Sequence, residues 1–347
     1  MIIIAFMDFK IFTLGSNDAG RRLDRVVRCF FIEENLSSLY KAIRNGLIKI
    51  NGKKVRPEYR IQENDELSIA TFLVSSLENQ EKNAESVKKE NQNSFFAFSS
   101  ENTVFKNDDI LVINKPYDTN VQGKDSLAEQ IAVLWKSSSK SSQSLSFMPG
   151  PLHRLDRKTT GLLVFSQSLK GARWFSSAIA EHKIEKTYIA LLEGSLPEKC
   201  LWKDKIVNEQ EIIEKSNTGK KNHDFFTVKV FPENYPEGKI AVSQAEPIAY
   251  GVFEGKAVTL VRIKIETGRK HQIRSQAAFH GFPLLGDEAY GGSKINESQD
   301  FFLHAYELKI PKDNPLGLPE KISCFILTNF KKMLNKTLIN SNCLSII

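Results

Sequence analysis

Hydrophobic and polar positions along this chain form two patterned blocks divided by a polar stretch. In the first block Ile11, Phe12 and Leu14 predict a short strand, followed by a turn at Gly15-Ser16-Asn17-Asp18. Leu23, Val26, Val27, Phe30 and Phe31 recur at helical spacing, which turns Arg21, Arg22, Arg25 and Arg28 largely to the opposite face. A second helix is predicted from about Ser37, as its N-cap, to Asn45, with Gly46 as its stop. Leu39, Ala42 and Ile43 face inward on it, and Lys41 and Arg44 outward. Leu47-Ile48-Lys49-Ile50 then reads as a strand, Asn51-Gly52 as a tight hairpin turn and Lys53-Lys54-Val55 as the return, with Glu66 to Phe72 as a closing strand.

From Ser75 to Ser100 apolar residues almost vanish and Ser, Asn, Gln and Glu dominate, the composition of a flexible linker. The second block carries predicted strands at Asp109–Pro116, Leu162–Phe165, Lys186–Gly194 and Val258–Ile265. Helices are predicted from a Ser168 cap through Ile179, and from His271 to His280 ahead of Gly281. Ser137–Ser146 reads as a mobile surface loop. Glu198–Lys239 reads as polar and irregular, with weak strand signals at Phe225–Phe231, and the tail past Asn329 reads as peripheral.

At 347 residues, two domains are the default expectation. The net charge of +7 suggests a polyanionic partner, and its placement says more: residues 21–60 hold eleven Lys/Arg against four acids. The 4 cysteines (Cys29, Cys200, Cys324, Cys343) are scattered without a C-x-x-C pair or zinc-ligand spacing, as expected of reduced thiols in a cytoplasmic protein. The apolar start, Met1 to Phe6, is too short for a membrane span and lacks the basic flank of a signal peptide, and Met7 is an alternative start.

No P-loop, dinucleotide fingerprint, metal motif or nucleophile elbow is present. Polar stretches instead sit at predicted strand ends: Asn114-Lys115-Pro116, His153–Asp156, Lys186–Tyr188, Gly268–Arg274 and Leu303-His304-Ala305. Asp156 lies in a loop between Arg154 and Arg157, where neighbouring positive charge favours its ionised form. On chemistry alone a structural ion pair is the better reading of it than a catalytic carboxylate. Tyr188 in a strand is by itself ordinary core, Arg274 on a helix an ordinary ion pair, and His153, His271 and His304 hydrogen-bonded scaffold.

Two resemblances change these odds. Ser38-Leu39-Tyr40-Lys41-Ala42-Ile43-Arg44-Asn45-Gly46, Ile48 to Val55 and Tyr59-Arg60-Ile61 with Asp65-Glu66-Leu67 resemble an S4 RNA-binding domain. His153-Arg154-Leu155-Asp156 with Thr159-Thr160-Gly161-Leu162, Lys186 to Ala190, Gly268-Arg269-Lys270-His271-Gln272-Ile273-Arg274, Gly286-Asp287 with Tyr290-Gly291, and Phe302 to Ala305 resemble the RluA-type pseudouridine synthases. The S4 wording is similar to the RluC-like branch, which modifies large-subunit ribosomal RNA. Lys158, in place of a common acid, and Ala245-Glu246-Pro247 depart from the family pattern.

The resemblance implies an α+β fold: a catalytic domain with a mostly antiparallel, bent central sheet over 103–330, preceded by a small S4 (αL-type) domain over 20–74. An N-terminal arm (1–19), a linker (75–102) and a tail (331–347) complete the expected organisation. It also implies uridine isomerisation without cofactor or metal, because the detached uracil is its own second substrate. Asp156 is expected to act on the ribose, by attack at C1′ or proton removal at C2′. Tyr188 is expected to stack on the flipped base, and Arg274 to pair with Asp156. Arg154 would fill the vacated stack or bind the RNA backbone. Arg22, Arg25, Lys41, Arg44, Lys49, Lys53 and Lys54 are the expected phosphate contacts. The expected partner of this soluble monomer is large-subunit ribosomal RNA, with no membrane. The rivals are the same chemistry on transfer RNA and a non-catalytic RNA-binding or ribosome-assembly protein.

Overall fold

A computed structural model describes residues 8–28, 35–74, 100–136, 144–208, 227–297 and 299–337. The readings made above for the N-terminal hexapeptide and Met7, Phe30 and Phe31, Cys29, residues 75–99 of the linker, most of the Ser/Lys-rich loop, Phe225 and Cys343 lie outside the described residues. The chain divides into two units, one drawn from Met1–Phe98, Ala128–Gly150 and Ser166–Ala172, the other from Ser99–Leu127, Pro151–Phe165 and Arg173–Ile347.

In the first unit, β1 (Phe9–Thr13), β2 (Ile48–Ile50) and β3 (Glu66–Ala70) form a three-stranded sheet in the order β1-β3-β2, both pairs antiparallel. Helices α1 (Leu23–Val27) and α2 (Leu36–Asn45) pack their apolar stripes on it. Leu23, Val26, Val27, Leu39, Ile43, Ile48, Ile61, Leu67 and Ile69 are the fully buried heart of this core. The N-cap of α2 is Asn35 rather than Ser37: its side chain accepts a hydrogen bond from Ser38 N at 3.0 Å. Asn and Ser cap about equally well, so composition alone does not choose between them.

Asn51 and Gly52 both take positive φ (49° and 72°), the geometry of the primed hairpin turn. The returning segment makes only a single bridge, Ile50 to Lys53, instead of a strand. Asp65 is buried and ties the turn down, accepting from Asn51 Nδ2 (2.8 Å), Tyr59 Oη (3.0 Å) and Gln62 N (2.8 Å). Asp18, also buried, accepts from Ser144 Oγ and Ser146 Oγ, both at 2.8 Å, and from Leu145 N at 3.1 Å. The last residues of the stretch read as a mobile loop are therefore held on a carboxylate. Helix α3 (Leu127–Lys136), which polarity along 117–136 had not announced, has Trp135 edge-on to Phe147 at 5.5 Å.

The second unit is built on a ten-stranded sheet. Its strands are β4 (Thr103–Lys106), β5 (Ile110–Lys115), β6 (Thr160–Ser166), β7 (Glu185–Glu193), β8 (Cys200–Asn208), β9 (Val228–Pro232), β10 (Lys239–Phe253), β11 (Lys256–Ile265), β12 (Leu303–Lys309) and β13 (Lys321–Ser323). The order is β4-β5-β6-β12-β7-β11-β10-β8-β9, with β13 on β12. β6 and β12 run parallel, whereas β7/β11, β7/β12, β8/β10, β8/β9 and β10/β11 are antiparallel, so the sheet is mixed and mostly antiparallel. Its central strands β6 and β7 are almost wholly buried, which is why they read as continuous apolar runs.

Helix α4 (Leu169–Ala180) starts at the predicted Ser168 cap, whose Oγ accepts from Gly171 N at 2.9 Å. Helix α5 (Gln272–Phe279) follows β11, and α6 (Thr328–Thr337) lies near the C-terminus. Two readings are corrected here. Glu198–Lys239 is not irregular, since it holds β8 and β9. The inward positions of β8 include a buried Asp204, hydrogen-bonded by Gln276 Nε2 (2.6 Å) and facing His280 Nε2 (3.0 Å), and that carboxylate breaks the apolar alternation. The chain past Asn329 is not peripheral either. Phe330, Met333 and Leu334 of α6 are buried in a core with Ile189, Leu260 and Phe302.

Among the described residues no helix is long and apolar enough to cross a membrane.

Candidate active site

The loop ahead of β6 is shaped by backbone contacts. Thr159 N donates to Asp156 O at 3.1 Å, closing a turn. Gly161 takes φ 104°, and a Cβ there would stand 2.3 Å from Ala305 O, so only glycine lets β6 and β12 approach this closely. Lys115 is fully buried at the end of β5, and its Nζ donates to Pro116 O (2.8 Å) and Arg157 O (2.7 Å). Burial pulls its ammonium down to about 7. The Lys115-Pro116 stretch thus does more than end a strand: it anchors the loop that carries Asp156.

Asp156 is partly exposed in the wall of a cavity of about 490 Å³. The same cavity is lined by His153, Arg154, Thr159, Lys186, Tyr188 and Gly268 to Arg274, among others. The arginine adjacent to Asp156 in sequence turns elsewhere. Arg157 Nε lies 2.8 Å from Asp118 Oδ1, and the next residue, Lys158, pairs with Asp300. Arg154 is exposed at the cavity.

The cation nearest Asp156 comes instead from α5. Arg274 Nη1 stands 3.6 Å from Asp156 Oδ2. The closer partner of Arg274, however, is Asp287, which takes its Nε and Nη2 in a two-point grip at 2.7 Å each. Asp287 is 2 % exposed. Arg274 is further sandwiched between the rings of Phe301 (4.4 Å) and Tyr290 (5.0 Å). The expected simple pair is therefore a bridge, with one side of the guanidinium fixed by a buried carboxylate and the free nitrogen offered to Asp156. Asp287 and Tyr290 sat in a quoted motif without a role. The signal that points to them is that an arginine buried on a helix needs a bidentate acceptor.

His271 adopts a left-handed φ of 52° at the start of α5. Its Nε2 lies 3.7 Å from Asp156 Oδ1, and its Nδ1 2.8 Å from Tyr290 Oη. Tyr290 Oη also accepts from Val228 N at 3.1 Å, which fixes the ring partner of His271 against β9. Burial holds the His271 imidazole down to about 4, so it is neutral near neutrality. At 3.6 and 3.7 Å neither contact to Asp156 is a hydrogen bond. Both are electrostatic.

Tyr188 is 7 % exposed and lines the cavity; burial, and then the Asp156 charge, raise its hydroxyl above the ordinary tyrosine range and keep it protonated. His153, half-buried, and His304, buried, are both hydrogen-bonded to their surroundings. His153 Nε2 accepts from Val164 N at 3.1 Å, and His304 spans Thr160 Oγ1 (2.8 Å) and Cys324 Sγ (3.2 Å). Asp156, Tyr188, Arg274 and Arg154 thus meet at one cavity.

The basic residues of the first unit are dispersed. Arg25, Lys41, Arg44, Lys53 and Lys54 are exposed. Arg44 and Lys54 line one shallow groove with Arg56, Glu58 and Tyr59. Two of the expected phosphate contacts are engaged internally. Arg22 Nη2 pairs with Asp24 Oδ2 at 2.7 Å, and Lys49 Nζ sits 4.4 Å from the centre of the Phe9 ring.

Known proteins resemble this chain over most of its length. The RNA pseudouridylate synthase family model matches residues 109–279, and the S4 domain model residues 21–67. Ribosomal large subunit pseudouridine synthase C of Salmonella typhi is 27% identical over 311 residues, covering 86% of this chain and 88% of its own. The Escherichia coli (strain K12) protein of the same name gives the same figures, and that of Pasteurella multocida is 25% identical. Among solved structures, human RNA pseudouridylate synthase domain containing 4 shares the fold, with a TM-score of 0.52 at 20% identity over 68% of this chain and 93% of its own. With an S4 domain ahead of a mostly antiparallel synthase sheet, the chain belongs to the RNA pseudouridylate synthase family and is an RNA pseudouridine synthase, an isomerase.

Proposed function

We propose that this synthase isomerises specific uridines of large-subunit (23S) ribosomal RNA, with Asp156 as its catalytic carboxylate. The observation that carries the catalytic part is the setting of Asp156. It opens on a cavity floored by Tyr188, with Arg274 and a neutral His271 on its two oxygens at 3.6 and 3.7 Å. The ribosomal target is supported by the large-subunit activity in the names of relatives aligned over 86% of this chain.

A uridine inside an RNA stem hides C1′ and C5, so the nucleotide flips out to react. The N1–C1′ bond breaks and its electron pair goes to the uracil. Asp156 supports the ribose, acting at C1′ or at C2′. The uracil turns on the Tyr188 ring, C5 bonds to C1′, and the proton displaced from C5 is balanced by one taken up at N1. Nothing is added or lost, which makes the step an isomerisation. Arg274, fixed by Asp287, holds Asp156 aimed at the ribose. Arg154, exposed at the rim, occupies the gap left in the stack or holds the backbone. Exposed lysines and arginines of the S4 unit add salt-dependent grip.

The test is pseudouridine mapping of 23S ribosomal RNA and transfer RNA from cells with and without this protein, and from cells carrying Asp156→Ala. Large-subunit sites that disappear in both the deletion and the variant are expected. Activity of wild-type level in Asp156→Ala overturns the assignment of the carboxylate, and loss confined to transfer RNA overturns the target.

A further inference from the structure

Lys186 is a charged group in the Asp156 cavity to which neither the fold nor the proposed chemistry has given work. It is 9 % exposed, and it lies on the same face of β7 as Tyr188, two residues away. Its Nζ lies against Gly268, just past the neighbouring strand β11, where an added Cβ would stand 3.4 Å from it. Among the described residues it has no hydrogen-bond or ion-pair partner. The cavity is lined by two carboxylates, Asp156 and Glu266, and neither pairs with it. His153, the imidazole close enough to feel its charge, is neutral and bonded to Val164 N. Thr159 Oγ1, another polar atom of the cavity, is buried without a hydrogen-bond partner among the described residues.

A lysine side chain largely withdrawn from bulk water without an acceptor is costly, and burial lowers its proton affinity. Such a group is retained where a ligand supplies the missing partner. A ligand in this cavity has Asp156, Tyr188 and Lys186 among its walls. RNA phosphates keep much of their hydration and have Arg154 and Arg269 exposed at the same rim. The part of the substrate that reaches a nine-tenths buried amine is the flipped base. When N1 departs with its electron pair, negative charge spreads over N1, O2 and O4 of the uracil.

Resting on the synthase chemistry proposed above, we propose that Lys186 is a further catalytic residue, whose ammonium meets a uracil carbonyl and stabilises the departing uracil anion. Its lack of a carboxylate partner fits that role. No ion pair has to break, and the interaction strengthens as charge develops in the transition state.

The test compares wild type, Lys186→Met and Lys186→Arg in full-length protein on the RNA identified by mapping. Lys186→Met is expected to lower the single-turnover rate at saturating RNA by about 100-fold or more, on the scale of losing one preorganised stabilising group. RNA Kd is expected within about threefold of wild type, with an unchanged dependence of log Kd on log salt. Lys186→Arg is expected to restore part of the rate. Thermal unfolding of Lys186→Met should occur at or above the wild-type Tm, because an unpaired buried charge has been removed. A rate within about threefold of wild type overturns the inference. So does a salt slope reduced by about one, which marks a phosphate contact, or a fall in Tm, which marks a structural partner. A wild-type protein inert on every RNA offered overturns the functional reading and this inference with it; an active wild type with an unimpaired Lys186→Met overturns this inference alone.

Discussion

The S4 unit and the Asp156 cavity use positive charge in opposite ways. In the S4 unit Arg25, Lys41, Arg44, Lys53 and Lys54 stand in water on a surface whose core needs none of them. In the cavity Arg274 is held by a buried carboxylate and two aromatic rings and the Lys186 side chain is buried, and behind the Asp156 loop Lys115 is buried as well. Exposed cations act as a sum: each contributes little, is screened by salt and tolerates loss. Buried ones act through geometry. Each has a defined neighbour or a defined lack of one, and removing either side leaves an uncompensated group. Recognition of a long polyanion suits the first arrangement, and aiming one carboxylate at one sugar suits the second.

The largest way to break this contrast is Asp287→Ala. It leaves Arg274 buried without its two-point acceptor, so a loss of about 3–5 kcal/mol of stability is expected by denaturant unfolding, together with loss of turnover. A stability change below about 1 kcal/mol would mean that Arg274 is as loosely held as the S4 cations.

Acid provides the next test. Burial lowers His153 to about 3 and His271 and His304 to about 4, from an ordinary 6.5. Unfolded, these histidines bind protons below about 6.5; folded, they resist until the lowered values are reached. Their contribution to stability is therefore complete above about 6.5 and lost as pH falls toward about 4. Denaturant midpoints measured between pH 8 and 4 should fall over that window, and His304→Gln should flatten the fall; an unchanged profile in the variant would remove His304 from the set.

Smaller effects are expected on the S4 surface. Arg44→Ala and Lys54→Ala, which share one groove, should each weaken RNA binding by a few fold and reduce the salt slope by about one, leaving the saturated single-turnover rate unchanged. A large fall in that rate would mean that these cations also orient the reacting uridine. Smallest of all, Asn35→Ala should cost about 1 kcal/mol by removing the cap on Ser38 N, with RNA binding at the folded protein unchanged.

Legibility in the sequence follows the same division. Strand β11 and helices α2 and α4 are readable because their apolar residues keep one period, β6 and β7 because they are continuous apolar runs between polar stretches, and α5 from its glycine stop rather than from any apolar period. β8 and β10 are not. A buried Asp204 interrupts one, and Pro247 with a register shift beside it interrupts the other. Helix α6 was missed because Phe330, Met333 and Leu334 form a narrow stripe among lysines and asparagines, and only the core they enter reveals its use.

The family of the chain and its two kinds of module were legible in the order of its motifs, through their resemblance to known modules, because those motifs are runs of local residue type. Which charge meets which was decided by the tertiary structure. Asp156 sits in sequence between two arginines, yet Arg157 turns to Asp118, Arg274 comes from α5, and the firmest grip on Arg274 is that of Asp287. Ion pairing depends on distance and burial, and both are set when β6, β7, β12 and α5 come together, through contacts between residues far apart in the chain.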